Sequence, residues 1–316
     1  MADRPVRASA GLDAPPTREA NQAEPAFIPA FISVALVTYN DAATLRGCLE
    51  SVAWADEIVV TDLGSTDETR ALAEQYGATV ATHTWVPYAD PIRDEVIART
   101  QGPWVLMLDP DERVTPTLAR RLRALACTGE IDVALIPWWL MAFGHRREDG
   151  RAVQDRLPRF FRKGALSWPP EVHGRPALDG LRVQTLAPEA DGYLLHDSWR
   201  SIDEIMDKFT RYSREEAALL DSRGVRFTPA LLLTQTAREV GQALAYETER
   251  SGTPGLVGVL LGLSYRWFVL ARLWERQGFT RTHDRTVERW LRPLGAIPRR
   301  LLPLYTRLRT QGRVAR

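Results

Sequence analysis

The chain has 316 residues, 45 % of them hydrophobic and 26 % charged, with a net charge of +1. That length allows one large domain, or a domain with an appendage, and the composition is that of a folded protein. A balance so near neutrality gives no ground for nucleic-acid binding, and the two cysteines, Cys48 and Cys127, are too few for a disulfide framework and stand in no Cys/His cluster.

Residues 1–30, rich in Ala, Pro, Asp, Glu and Arg without periodicity, read as a disordered leader. They contain no apolar stretch of the kind that makes a secretory signal, so the expected location of the catalytic part is cytoplasmic. Order begins at Phe31, and short apolar runs then alternate with amphipathic ones. Residues 32–37 form a β-branched run, predicted as a buried strand, and residues 41–52 carry apolar residues at helical spacing behind Asp41 as N-cap. A second strand is expected at 57–61 and a second helix at 67–76, with Asp67 as its N-cap and Gly77 closing it. Strands at 79–82 and 104–108 and helices at 92–99 and 116–126 complete the pattern. Strands separated by helices of this length imply right-handed crossovers, hence an α/β, Rossmann-like fold with a mostly parallel sheet and flanking helices.

Beyond residue 131 the pattern changes to short strands, expected at 131–137, 157–162 and 193–196, among long charged loops. Helices follow at 201–221, 229–249, 255–277 and 283–292. The expected organisation is a catalytic domain at 31–200, a C-terminal helical region at 201–295 and a basic tail at 296–316. From residue 289 onward the chain has eight arginines and no acidic residue.

Ligands of such sheets bind at the carboxyl ends of the strands. Three loops there carry polar or acidic residues: Thr38, Tyr39 and Asn40; Asp62 and Gly64 through Asp67; and Asp109, Pro110, Asp111 and Glu112. Two carboxylates spaced as Asp109 and Asp111 can face one hard cation, Mg²⁺ or Mn²⁺, with room left for water and phosphate. The same pair can equally be an acidic turn before a helix, and Asp62 can be a turn-forming Asx residue as well as a partner for a base or ribose. No GK[ST] follows Gly64, and no GxGxxG is present, which argues against an NTPase loop and a dinucleotide-dependent dehydrogenase.

In spacing and order, the three motifs at 33–40, 55–69 and 104–112 resemble the GT-A glycosyltransferases of family 2, over about residues 32–125. They look most like the branch similar to lipopolysaccharide-core β-glucosyltransferases, whose acidic triplet reads LDADE where this chain has Leu108, Asp109, Pro110, Asp111 and Glu112. The resemblance implies transfer of a sugar, with inversion, from a nucleoside-diphosphate sugar, UDP first, to a glycan or lipid-linked hydroxyl in the cell envelope. It implies that Thr38, Tyr39, Asn40, Asp62 and Gly64 line the nucleoside pocket. Arg93, followed by Asp94 where relatives carry Asn, would be the basic donor residue, and Asp109 and Asp111 would hold the ribose and the metal-bound diphosphate.

Inverting transfer needs a base on the acceptor side. The stretch from Phe160 to Gly174 resembles the branch's "FRKG … VHE" region, with Gly174 in place of the acid, so Glu171 or His173 is the expected base. His196, in a position the branch follows with a helix bearing Lys and Tyr, here Lys208 and Tyr212, is a candidate third metal ligand or a packed histidine. Arg159 and Arg162 are candidate phosphate or acceptor contacts, or simply outward strand residues. Alternatives are a nucleotidyltransferase, whose Gly-rich basic loop is missing after the first strand, and a non-catalytic sugar-nucleotide-binding protein. The apolar stretch 255–274 is interrupted by Arg266 and Arg272, which weighs against a membrane span. With Trp267, Trp274, Trp290 and the basic tail it favours peripheral contact with an anionic inner membrane face.

Overall fold

The computed structural model of the chain describes residues 30–146, 156–171, 174–246 and 252–280. Residues 1–29 of the expected leader, His173, Trp290, the helix expected at 283–292 and the basic tail lie outside the described residues.

The fold opens with β1 (Ile32–Thr38), α1 (Ala42–Ser51), β2 (Glu57–Asp62), α2 (Thr69–Gln75), β3 (Thr79–Thr82), α3 (Arg93–Ala98), β4 (Trp104–Leu108), β5 (Glu112–Val114) and α4 (Pro116–Thr128). Next come β6 (Val133–Ala142), β7 (His145–Arg146), β8 (Arg156–Arg162), β9 (Val183–Thr185), the one-turn α5 (Pro188–Asp191) and β10 (Leu194–Trp199). Three helices end the described chain: α6 (Ile202–Ser222), α7 (Pro229–Tyr246) and α8 (Gly252–Arg276).

The strands form one ten-stranded sheet in the order β3-β2-β1-β4-β8-β6-β10-β5, with β7 and β9 paired to β6. The first four are mutually parallel, and β1 and β4 are buried along their whole length, as their unbroken apolar sequences require of strands covered on both faces. Alternation along β1 divides the core. Ile32, Val34 and Leu36 face α1 and α4, packing on Leu45, Leu49, Leu118 and Leu122, whereas Ala35 and Val37 face α3 through Val96 and Ile97.

Past β4 the sheet becomes mixed. Strand β8 is antiparallel to both β4 and β6, β10 runs parallel to β6, and β5 is antiparallel to β10. Strands β4 and β5 are far apart in the strand order, yet residues 109–111 alone connect them. Three residues span little more than about 14 Å even when extended, so the sheet curls to bring its last strands beside the end of β4. The acidic link lies at this closure.

Several local expectations change. Asp41 precedes α1 but makes no capping bond; its carboxylate accepts from the Tyr39 amide at 2.8 Å. Helix α2 starts two residues after Asp67, with Glu68 at the cap position, and Asp67 instead accepts from the amides of Thr69 (3.0 Å) and Ala42 (3.1 Å). Gly77 does close α2, at φ +76°. Strand β6 runs on to Ala142, and β5, β7, β9 and α5, each of two to four residues, are too short to show a period.

Helix α8 is long and apolar enough by length and composition to cross a membrane. In the fold its interrupting arginines turn toward protein: Arg266 pairs with Glu216 of α6 and reaches Glu239 of α7, and Arg272 donates to Ser213 at 2.9 Å. Leu256, Leu260, Trp267 and Phe268 are exposed on the same helix.

Candidate active site

A cavity of about 560 Å³ opens at the carboxyl ends of β1 and β4, a size suited to a small-molecule ligand. Its floor is the end of β1 (Val37 to Tyr39) with Asp41 and the link Asp109 to Glu112. The strands beyond contribute Trp138, Arg159 and His196, and α6 closes it with Lys208, Arg211 and Tyr212.

Topology sets the central geometry. His196 on β10 is in register with Glu112 on β5, and the Asp197 amide donates to the Asp111 carbonyl at 2.8 Å. That register places the imidazole Nε2 3.3 Å from Asp111 Oδ1, while Lys208 Nζ lies 3.1 Å from Asp111 Oδ2. The ring of Trp138 sits against His196, with centroids 5.3 Å apart. Burial works against a charge on Asp111, but His196 and Lys208 outweigh it and hold the carboxyl well below its ordinary range. Burial likewise opposes the imidazolium, and Asp111, followed by Glu112 and Asp109, raises the His196 pKa above its usual value.

Asp109 has other partners. Arg93 Nη2 donates to Oδ1 at 3.0 Å, and Arg159 Nη2 donates to Oδ2 and also to Glu112 Oε1 at 3.0 Å. Arg93 in turn binds Asp90 at 2.9 Å. Despite burial, the two arginines hold the Asp109 carboxyl far below its ordinary value. Glu112, with no exposed side chain, accepts from the Asp109 amide at 2.8 Å and ties the link to β5. Burial pushes its pKa up.

The expected nucleoside residues divide. Thr38 and Tyr39 line the cavity, and the Thr38 hydroxyl is buried without a hydrogen-bond partner. Asn40, Asp62 and Gly64 are absent from its wall. Asn40, at φ +55°, accepts from the Thr66 amide at 2.7 Å and joins the first loop to the second. Asp62 is 2 % exposed and takes the amides of Gly64 and Ser65, so its carboxylate organises its own turn.

On the acceptor side, Gly174 and Arg175 line the cavity while Glu171 does not; its half-exposed side chain pairs with Arg223 at 2.7 Å. Arg162 turns away from the cavity, stacked over Trp104 and bonded to the carbonyls of Gly129 and Ile131. Asp41 is a cavity carboxylate that sequence reasoning took only for a cap. Burial, with the Asp111 charge adding to it, pushes its pKa up to about 6. Its signal was its place directly after the polar loop of β1.

A strand-end cavity walled by interlocked carboxylates and cations is where the ligands of α/β sheets bind. Residues 33–178, just under half of the chain, match the family model of glycosyl transferase family 2. The lipopolysaccharide core biosynthesis glycosyltransferase LpsC of Rhizobium meliloti is 27 % identical over 267 residues, 78 % of this chain and 92 % of that protein. An uncharacterized glycosyltransferase of Rickettsia felis is 26 % identical over 213 residues, 65 % of this chain and 75 % of that one. Among solved structures, S. aureus TarS 1-349 in complex with UDP-GlcNAc aligns at TM-score 0.46 and 16 % identity, covering 78 % of this chain and 92 % of that chain.

Proposed function

We propose that this glycosyltransferase moves a sugar from a nucleoside-diphosphate sugar, with UDP as the nucleotide, to a hydroxyl of a cell-envelope glycan or glycolipid, inverting the anomeric centre. The observation that carries the donor assignment is Asp111, a carboxylate at a cavity wall with one oxygen toward His196 and the other toward Lys208. The envelope acceptor is supported by the likeness to LpsC.

A divalent cation at Asp111 would take the place of the His196 proton and of the Lys208 ammonium, which face its two oxygens here. Among the described residues no group of three or more His, Cys, Asp or Glu is arranged for a metal, and both oxygens of Asp109 serve arginines. Asp111 and His196 would therefore hold the ion, with water and donor phosphate completing its shell. When bound, it would supply positive charge against the diphosphate.

Thr38 offers its unpartnered hydroxyl, and Tyr39 an exposed ring edge-on to Trp85, to the nucleoside. Arg93 and Arg159 fix the link, and Asp109 would meet the ribose by exchanging one of these arginines for a hydroxyl. The base is assigned to the segment preceding Gly174, Glu171 or His173; the exposed pair with Arg223 costs little to open. Helix α8 lies in the plane of the membrane surface, its exposed Leu256, Leu260, Trp267 and Phe268 inward and the arginine-rich segment against anionic headgroups.

The test is turnover of labelled UDP-glucose with Mn²⁺ by the full chain. Wild type should release UDP, and Asp111→Asn should lower the rate by about two orders of magnitude or more while melting cooperatively. An unchanged rate in Asp111→Asn removes the donor-site assignment. Glu171→Gln separates the two bases, since loss of turnover selects Glu171 and full retention selects His173.

A further inference from the structure

Helix α6 lies beyond the segment matched to family 2, yet it supplies one wall of the cavity. Lys208, Arg211 and Tyr212 stand at i, i+3 and i+4, so they share the helix face turned to the site. Of the cavity cations, Arg93 is held by Asp90 and Asp109, and Arg159 by Asp109 and Glu112, all through short ion pairs within the domain. Lys208 is placed differently. Its Nζ is 3.1 Å from Asp111 Oδ2 and 3.2 Å from Ser198 Oγ, on a flexible stem whose side chain is 30 % exposed. An ammonium on such a stem can exchange one anionic partner for another at little cost, unlike a bidentate arginine fixed between two carboxylates.

We propose that Lys208 is the cation with which the C-terminal helical region grips the diphosphate of the nucleotide, and that its pair with Asp111 is the resting position from which it reaches the phosphates. The inference rests on the donor reading above. It makes α6 part of the donor site, so that binding a nucleoside diphosphate ties the helical region to the α/β domain. Arg211, one turn further on, faces the same phosphates.

The test is calorimetric titration of the full chain, in Mg²⁺, with UDP and separately with uridine. In Lys208→Met, UDP affinity should fall by about ten-fold or more while uridine affinity stays at the wild-type value, and Lys208→Arg should recover most of the loss. Uridine binding reports that the site is folded. Should Lys208→Met lose it, Lys208→Gln, which keeps an N–H donor toward Asp111 without the charge, takes its place, and the same ten-fold loss is expected. UDP affinity within about two-fold of wild type in Lys208→Met, or in Lys208→Gln where that variant takes its place, overturns the assignment of Lys208 and leaves the donor reading standing. A wild-type chain that binds neither UDP nor uridine overturns both.

Discussion

Asp109 and Asp111 are two residues apart and live in different surroundings. Asp109 is clamped by Arg93 and Arg159, so its carboxylate is neutralised within the protein, while Asp111 meets an imidazole and an ammonium at the cavity wall. A third carboxylate, Asp41, takes a different course with pH. Its folded pKa of about 6 is above the ordinary 3.8, so folding favours the protonated form relative to the unfolded chain. That contribution to stability is complete below about pH 3.8 and is lost as pH rises through about 6. Asp41→Asn should therefore gain on wild type between pH 4 and pH 8, by no more than about 3 kcal/mol in unfolding free energy. Parallel urea-denaturation profiles for the two proteins across this range would contradict it.

Among the elements, β10 has the most demanding entry. Gly192 precedes it at φ +79°, and a Cβ there would come within 2.4 Å of the Leu118 amide and 2.7 Å of the Thr115 hydroxyl that caps α4. Because one obstacle is backbone and the other is the hydroxyl that caps α4, Gly192→Ala should destabilise the fold by about 1–3 kcal/mol, read as a lower Tm and weakened donor binding through displaced His196. A Tm unchanged within error would show that the turn relaxes freely. The first four strands and their helices were legible in the sequence because each carries its own period and both sheet faces are covered. The mixed half was not, since the pairing of β8 between β4 and β6 is non-local and leaves no mark in either strand. For the site, the position of each loop was legible and the use of each side chain was not. Asn40 and Asp62 are spent on joining and shaping loops, and Asp111 meets Lys208 across 97 residues of sequence.

Across the described residues, the α/β sheet holds the cavity's carboxylates, helix α6 closes the cavity, and α8 presents an apolar surface. Helix α8 packs its arginines onto α6 and α7 and leaves Leu256 and Leu260 more than half exposed. Co-sedimentation with vesicles containing phosphatidylglycerol should retain the chain, more weakly as salt rises, and Leu256→Ser/Leu260→Ser should release most of it. Equal retention by neutral and anionic vesicles would contradict the surface contact. The donor site itself is tested most directly by thermal shift of the full chain against UDP-, dTDP- and GDP-glucose, with and without Mn²⁺. One nucleotide class should raise Tm only when Mn²⁺ is present, by an amount equivalent to about 2–3 kcal/mol at a hundred-fold excess over Kd, and Asp111→Asn should abolish the shift. The same shift in Asp111→Asn, or none with any nucleotide sugar in wild type, would contradict a donor bound at Asp111.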